Sequence, residues 1–353
     1  MSPARDVAVV GFAQTVQQRH SPSTTNGVEM LVPIFHEMLG GLGLTKTDIG
    51  FWCSGSSDYL AGRAFSFISA IDAIGPVPPI NESHVEADAA WALYEAWCKI
   101  QTGEVDTALV YGFGKSSAGT IGRTLAFQLD PYTVAPLYPE AVAVAGLQAR
   151  LGIDAGRWSE RDMAEVAVRS RRDAETNPFA QVTGAKDVDE LLAEPYFADP
   201  LRRHDCAPIT DGAAAVVLAA DDRARDLVDR PAWISGIAHR VDSANLGARD
   251  LTASESTRAA AADAGITGIE VAELSSPFTH QELILRDALG LADDVRLTPS
   301  GGALAGNPLF AAGLVRIGEA ARHIADGTAS RVLAHSTMGP ALQHNLVCVM
   351  EGR

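Results

Sequence analysis

Groups able to move protons near neutral pH are sparse, with nine histidines and four cysteines in 353 residues. His84 stands in Asn81-Glu82-Ser83-His84-Val85-Glu86, after a Pro-rich apolar run (77–80) and before an almost charge-free helical stretch over 87–102. Ahead of a helix N-terminus pKa values move and developing negative charge is stabilised, so His84 is a candidate general acid or base. The competing role is a buried histidine bonded to Glu82 or Glu86. Asn307 follows the turn Thr298-Pro299-Ser300-Gly301-Gly302-Ala303, and its carboxamide is a candidate oxyanion donor, although Asn before Pro also fixes turns. His335 and Ser336 end a buried apolar run, as an acid/base pair or as a satisfied strand end. His280, beside Gln281 and Glu282, reads as structural, and nothing in the sequence brings Tyr111 or His344 to a site. Cys53, Cys98, Cys206 and Cys348 show no CxxC or Cys/His ligand spacing, so neither a structural zinc nor a disulfide framework is expected. Gly112-Phe113-Gly114-Lys115-Ser116-Ser117 lacks the GxxxxGK[ST] spacing and reads as a strand-to-loop turn.

The elements that must position these groups alternate between strand and helix. Short Val- and Ile-rich runs at 7–12, 48–55, 107–111, 233–238, 271–274, 295–297 and 332–334 are separated by helical patterns at 27–42, 87–102, 254–264 and 309–324, the signature of crossover units. GEVDTALVYG (103–112) and GTASRVLAHS (327–336) share one pattern, a Gly, a polar turn and a buried strand. The chain therefore divides into similar α/β halves, 1–225 and 226–353. The charged, helical stretch at about 115–205 reads as an inserted loop or cap region within the first half.

Composition narrows the function classes. A hydrophobic fraction of 47% with 20% charged residues excludes a disordered or fibrous chain. A formal net charge of −16 without a Lys/Arg stripe argues against nucleic acid as a partner, since phosphate contacts need clustered cations. No stretch reaches the ~18 consecutive apolar residues of a membrane span. The first residues enter an apolar strand directly, without a signal-peptide pattern, so a cytoplasmic location is expected.

Three segments in order, MAEVAVRSRRDAETNPFAQ (163–181), DPLRRHDCAPITDGAAAVVLA (199–219) and TPSGGALAGNP (298–308), resemble the thiolase superfamily, in particular its lipid-transfer-protein-like or sterol-carrier-type branch. The resemblance covers nearly the whole chain. It implies a five-layered αβαβα core built from two duplicated halves, a dimer, and acyl-CoA thioester substrates. In that family the nucleophilic Cys opens a buried helix after an Asn-containing strand, which puts His84 in the approximate place of the Cys. The family's Gly-His-Pro reads Gly306-Asn307-Pro308, its His-Asp-Cys-Phe reads Ser275-Ser276-Pro277-Phe278, and its last catalytic loop reads His335-Ser336-Thr337-Met338-Gly339. No cysteine falls on a motif position.

Thiolysis and Claisen condensation need a thiolate to carry the acyl group. The resemblance therefore implies the aldolases of this branch, which cleave β-hydroxyacyl-CoA such as a steroid side-chain thioester without a covalent acyl-enzyme. Expected site residues are His84, Asn307, His335 and Ser275, with Gly301, Gly302, Ala303 and Asn307 contacting the thioester or CoA. No metal or cofactor is expected in this chain, and any zinc would lie in a partner. The implied partners are a second copy or a thiolase-like paralogue, and a small subunit with an OB-fold or zinc ribbon. Where such aldolases carry tyrosines, this chain has Ser275 and Asn307. Two alternatives thus stay open, a non-catalytic scaffold for a catalytic paralogue and a lipid or acyl-CoA binding protein.

Overall fold

The computed structural model describes residues 5–22, 24–58, 65–75, 81–184 and 186–353. The apolar runs form ten strands: β1 (Val7–Gln14), β2 (Phe51–Ser56), β3 (Glu82–Glu86), β4 (Thr107–Gly114), β5 (Gly212–Ala220), β6 (Ala232–Val241), β7 (Val271–Leu274), β8 (Arg296–Leu297), β9 (Arg331–Met338) and β10 (His344–Glu351). They lie in one mixed sheet of order β8-β7-β9-β10-β6-β1-β5-β4-β2-β3. The first five strands and the last five have the same order, each counted outward from the seam where β1 meets β6 through Ala8↔Trp233 and Val9↔Ala232. β4 and β9, the strands of the two similar sequence motifs, hold equivalent places, each with one parallel and one antiparallel neighbour. β5 reads GAAAVVLAA and is buried at every residue, the pattern of a strand covered on both faces.

Among the described residues the longer helices are α1 (Gly27–Gly41), α2 (Ala89–Gln101), α3 (Ala141–Asp154), α4 (Glu160–Asp173), α5 (Glu255–Ala264), α6 (Thr279–Ala288) and α7 (Ala312–Ala325). α2 and α7 lie between the halves, in one cluster that joins Leu93, Leu314 and Ile317 to Val110 and Val216 of the first half and Ala334 and Cys348 of the second. Burying each of the larger side chains here contributes about 1.5–3 kcal/mol. α1 covers the outer face of the first half, and α5 and α6 that of the second. Helices and sheet thus alternate in the expected five layers.

Residues 115–205 carry α3, α4 and shorter elements, and α4 is tied to α6 where Arg169 Nη2 donates to both carboxylate oxygens of Glu282 at 2.6 Å. α4 passes into a tight turn at Ala174–Thr176 because Pro178 forces Asn177 out of the helical region (φ −96°, ψ 107°). The Pro-rich strand expected at 77–80 lies outside the described residues. His84 does not precede a helix N-terminus: β3 runs on to Glu86, and α2 starts at Ala89 behind Asp88. No helix among the described residues is long and apolar enough to cross a membrane.

Candidate active site

A cavity of about 260 Å³ opens beyond the C-terminal ends of the parallel strands β7 and β9, the side on which open α/β sheets usually bind ligands. The region 115–205 contributes Leu129 to its wall, the segment after β7 contributes Phe278, and β9 contributes Met338. Polar side chains interrupt this apolar lining, among them Asp88, Ser275, Gln281 and Asn307.

Asp88 is the residue that opens the buried helix, the place the family resemblance reserves for a nucleophile. Its side chain caps α2 by accepting from the Ala90 N–H at 2.9 Å, and its other oxygen accepts from the Gly313 N–H of α7 at 3.1 Å. The N-terminal ends of both central helices therefore converge on one carboxyl group, which their dipoles favour in its ionised form. Burial works the other way and prevails, so the pKa of Asp88 is pushed up despite the backbone donors from Ala90, Gly313 and Leu314. Gly313 has to lack a side chain, because a Cβ there would lie 2.0 Å from Ser336 Oγ and 2.4 Å from Asp88 Oδ1. Ser336 Oγ is buried without a hydrogen-bond partner among the described residues.

Ser275 is the first residue past β7, and its N–H donates to the His335 carbonyl at 3.1 Å, which fixes where its hydroxyl starts. Asn307 is held by its N–H donating to Thr210 Oγ1 at 3.0 Å. Gln281 is a buried residue that sequence reasoning missed. Gln148 Nε2 donates to the Leu251 carbonyl at 2.9 Å, so Gln148 Oε1 must accept, and it does so from Gln281 Nε2 at 3.0 Å. That leaves Gln281 Oε1 buried and unpartnered, an acceptor suited to an N–H or O–H of a bound molecule.

Ser275 and Asn307 thus meet at the cavity, but the other expected residues do not line it. Alternate residues of a strand point to opposite faces. Val85 packs on the central cluster, so His84 faces outward, stacked on Phe67 with Nδ1 3.3 Å from Ser54 Oγ. By the same parity Ala334 joins the central layer and His335 faces the outer one. Its Nε2 donates to Asn345 Oδ1 at 3.0 Å, because Asn345 Nδ2 is committed to Ser256 Oγ and the Leu342 carbonyl at 2.8 Å each. Burial pulls the pKa of His335 down to about 4, which keeps it neutral. Gly301 and Gly302 take left-handed conformations (φ 89° and 64°), and a Cβ on Gly301 would lie 2.6 Å from Ala174 Cβ. The Gly301-Gly302-Ala303 turn is therefore a packing element against the α4 end rather than a cavity contact. His280 is structural as expected, bonded to Gln148 Oε1 at 3.1 Å. Of the four cysteines Cys206 lines the cavity, and burial pushes its thiol up to about 12, so it is not a thiolate.

No family model matches the chain. It is 28% identical over 213 residues to acetyl-CoA acetyltransferase of Methanothermobacter thermautotrophicus, covering 53% of this chain and 55% of that protein. It is 25% identical over 317 residues to human sterol carrier protein 2, covering 76% of this chain and 56% of that protein. Against the 17-hydroxy-3-oxo-4-pregnene-20-carboxyl-CoA lyase of Mycobacterium tuberculosis it is 27% identical over 247 residues, 65% of this chain and 62% of the lyase. The matches to the acetyltransferase and sterol carrier protein 2 therefore span a little over half of those proteins. Among solved structures, the Ltp2-ChsH2(DUF35) aldolase superposes with a TM-score of 0.80 at 19% identity, covering 98% of each chain. Human mitochondrial 3-ketoacyl-CoA thiolase superposes with a TM-score of 0.79 at 15% identity, covering 99% of each. Duplicated strand order, five layers and these likenesses together make the chain a thiolase-fold protein, with sterol carrier protein 2 and a CoA-thioester lyase among its relatives.

Proposed function

We propose that the chain is a subunit of an acyl-CoA retro-aldolase, a carbon–carbon lyase that cleaves a β-hydroxyacyl-CoA such as a steroid side-chain thioester. The observation that carries this reading is Asp88, a carboxyl group rather than a thiol, held in an apolar cavity between two helix N-termini. As a carboxylate Asp88 takes the proton of the β-hydroxyl. The Cα–Cβ bond breaks, its electron pair passes to the thioester as an enolate, and Cβ becomes a carbonyl carbon. The Asn307 carboxamide and the Ser275 hydroxyl donate to the enolate oxygen. Asp88 then returns its proton to Cα, leaving one carbonyl compound and one shorter acyl-CoA. A carboxyl whose pKa is raised by burial suits a group that must first hold and then return a proton.

The partners in this reading are a second thiolase-fold chain and a small OB-fold or zinc-ribbon subunit. Two facts support an assembly: one solved neighbour is the Ltp2-ChsH2(DUF35) aldolase, and among the described residues β3 is the last strand of the sheet. The test is co-expression with candidate partners, incubation with a β-hydroxyacyl-CoA, and mass spectrometry for the carbonyl product and the shortened thioester. Turnover that disappears with Asp88→Asn while the complex still assembles supports the reading. Full turnover with Asp88→Asn would make the chain the scaffold of a catalytic paralogue instead.

A further inference from the structure

His84, set apart from the cavity, has an environment of its own. Its Nδ1 faces the hydroxyls of Ser54 at 3.3 Å and Ser56 at 3.5 Å, and its ring stacks on Phe67 with centroids 5.1 Å apart. Its Nε2 is buried and makes no hydrogen bond to any described residue. That nitrogen lies 3.5 Å from Glu86 Oε2, and a carboxylate oxygen of Asp58 completes a trio whose ligand atoms all lie within 4.8 Å of one another. The acids are held in place from behind. Glu86 Oε2 accepts from the Asp58 N–H at 3.0 Å, and Asp58 accepts from the N–H groups of Ser66 at 2.7 Å and Phe65 at 3.0 Å.

Two ligands each ~2.0–2.2 Å from a tetrahedral zinc lie about 3.4 Å apart. The 3.5 Å between His84 Nε2 and Glu86 Oε2, long for a hydrogen bond, is the length of such a coordination edge. A ligating histidine presents one nitrogen while its other nitrogen is oriented by a second partner, the part the two serine hydroxyls take here. One imidazole with two carboxylates suits Zn²⁺, whereas Mg²⁺ and Ca²⁺ prefer shells of oxygen alone. We propose that Asp58, His84 and Glu86 form a zinc-class divalent-cation site on the outer face of the sheet edge, apart from the cavity. Such a site clamps β3 to the segment that follows β2. It also departs from the expectation that any zinc belongs to a partner subunit.

The test is made on the full chain after chelator treatment, by equilibrium dialysis against ZnCl₂ with elemental analysis and by titration with CoCl₂ followed by visible absorption. The expected result is one saturable equivalent per chain, a tetrahedral Co²⁺ spectrum and a higher melting temperature with zinc. His84→Gln and Glu86→Gln each remove that equivalent while the metal-free variants melt cooperatively like the parent. Ser54→Ala, which takes away one orienting hydroxyl, weakens zinc binding about 10–100-fold. No saturable zinc on the parent, or zinc binding that survives His84→Gln, overturns the proposal. Should His84→Gln fail to fold, Asp58→Asn on the loop side decides by the same readouts.

Discussion

The two halves share a strand order but end their central helices differently. α2 starts with a side-chain cap, Asp88, whereas α7 starts at Ala311 with no side chain to cap it. α7 instead aims the Gly313 N–H at the first half's carboxyl group. One aspartate thus terminates both helices, and the cavity lies where the copies have diverged. The first half contributes the acid, the second contributes Ser275 and Asn307. A duplicated fold places two equivalent strand ends around one space, and the chemistry arises from filling them unequally.

The sharpest way to break that asymmetry is Asp88→Asn, which keeps the shape but removes the proton carrier. Turnover of the assembled complex should fall by ~10²–10⁴. Because burial raises the Asp88 pKa above the ordinary 3.8, its contribution to stability is full below that value and lost as pH rises through the native pKa. Asp88→Asn removes that titration, so its urea midpoint should fall less than the parent's as pH rises, alongside the loss of turnover. On the second half, Asn307→Ala should raise the barrier by about 2.7–4 kcal/mol if the carboxamide donates to the enolate. Unchanged steady-state kinetics with a lowered melting temperature would instead mark Asn307 as a turn residue.

The outer face offers a contrast of opposite sign. Burial lowers the His335 pKa from 6.5 to about 4, so the native state binds its proton more weakly than the unfolded chain. Its contribution is full above pH 6.5 and is lost as pH falls toward 4, an effect on the order of 3 kcal/mol. Urea midpoints measured from pH 7 to 4 should show that acid limb in the parent and a flatter one in His335→Gln. The smallest expected effect belongs to Gly313→Ala, whose methyl group meets Ser336 and Asp88. Overpacking there should cost about 1–3 kcal/mol in urea unfolding, with turnover impaired as Asp88 is displaced.

Strand and helix periodicity, the paired motifs at 103–112 and 327–336, and the apolar central helices were legible because they depend on local pattern. The site was legible only in part. Ser275 and Asn307 lie on turns next to motif residues, and both reach the cavity. His84 and His335 are each one residue out of phase: Val85 and Ser336 lie on the central side of their strands, and the histidines on the outer side. Type and neighbourhood do not reveal parity until the pairing register is known. Asp88 left a usable signal, an aspartate just ahead of an almost charge-free helix. Gln281 left none, since its amide is oriented by Gln148, more than a hundred residues away in the chain.

The seam between the halves also bears on how the chain is made. β1 leaves the ribosome some two hundred residues before both its neighbours, β5 and β6. At roughly 5–20 residues per second, the nascent β1 waits on the order of ten seconds or more with both edges unpaired. Such long-range closure slows folding and leaves an apolar strand open to mispairing on the ribosome. Chains that stop before Gly212 should therefore be caught by chaperones or aggregate, while full-length chains bury β1 on both sides.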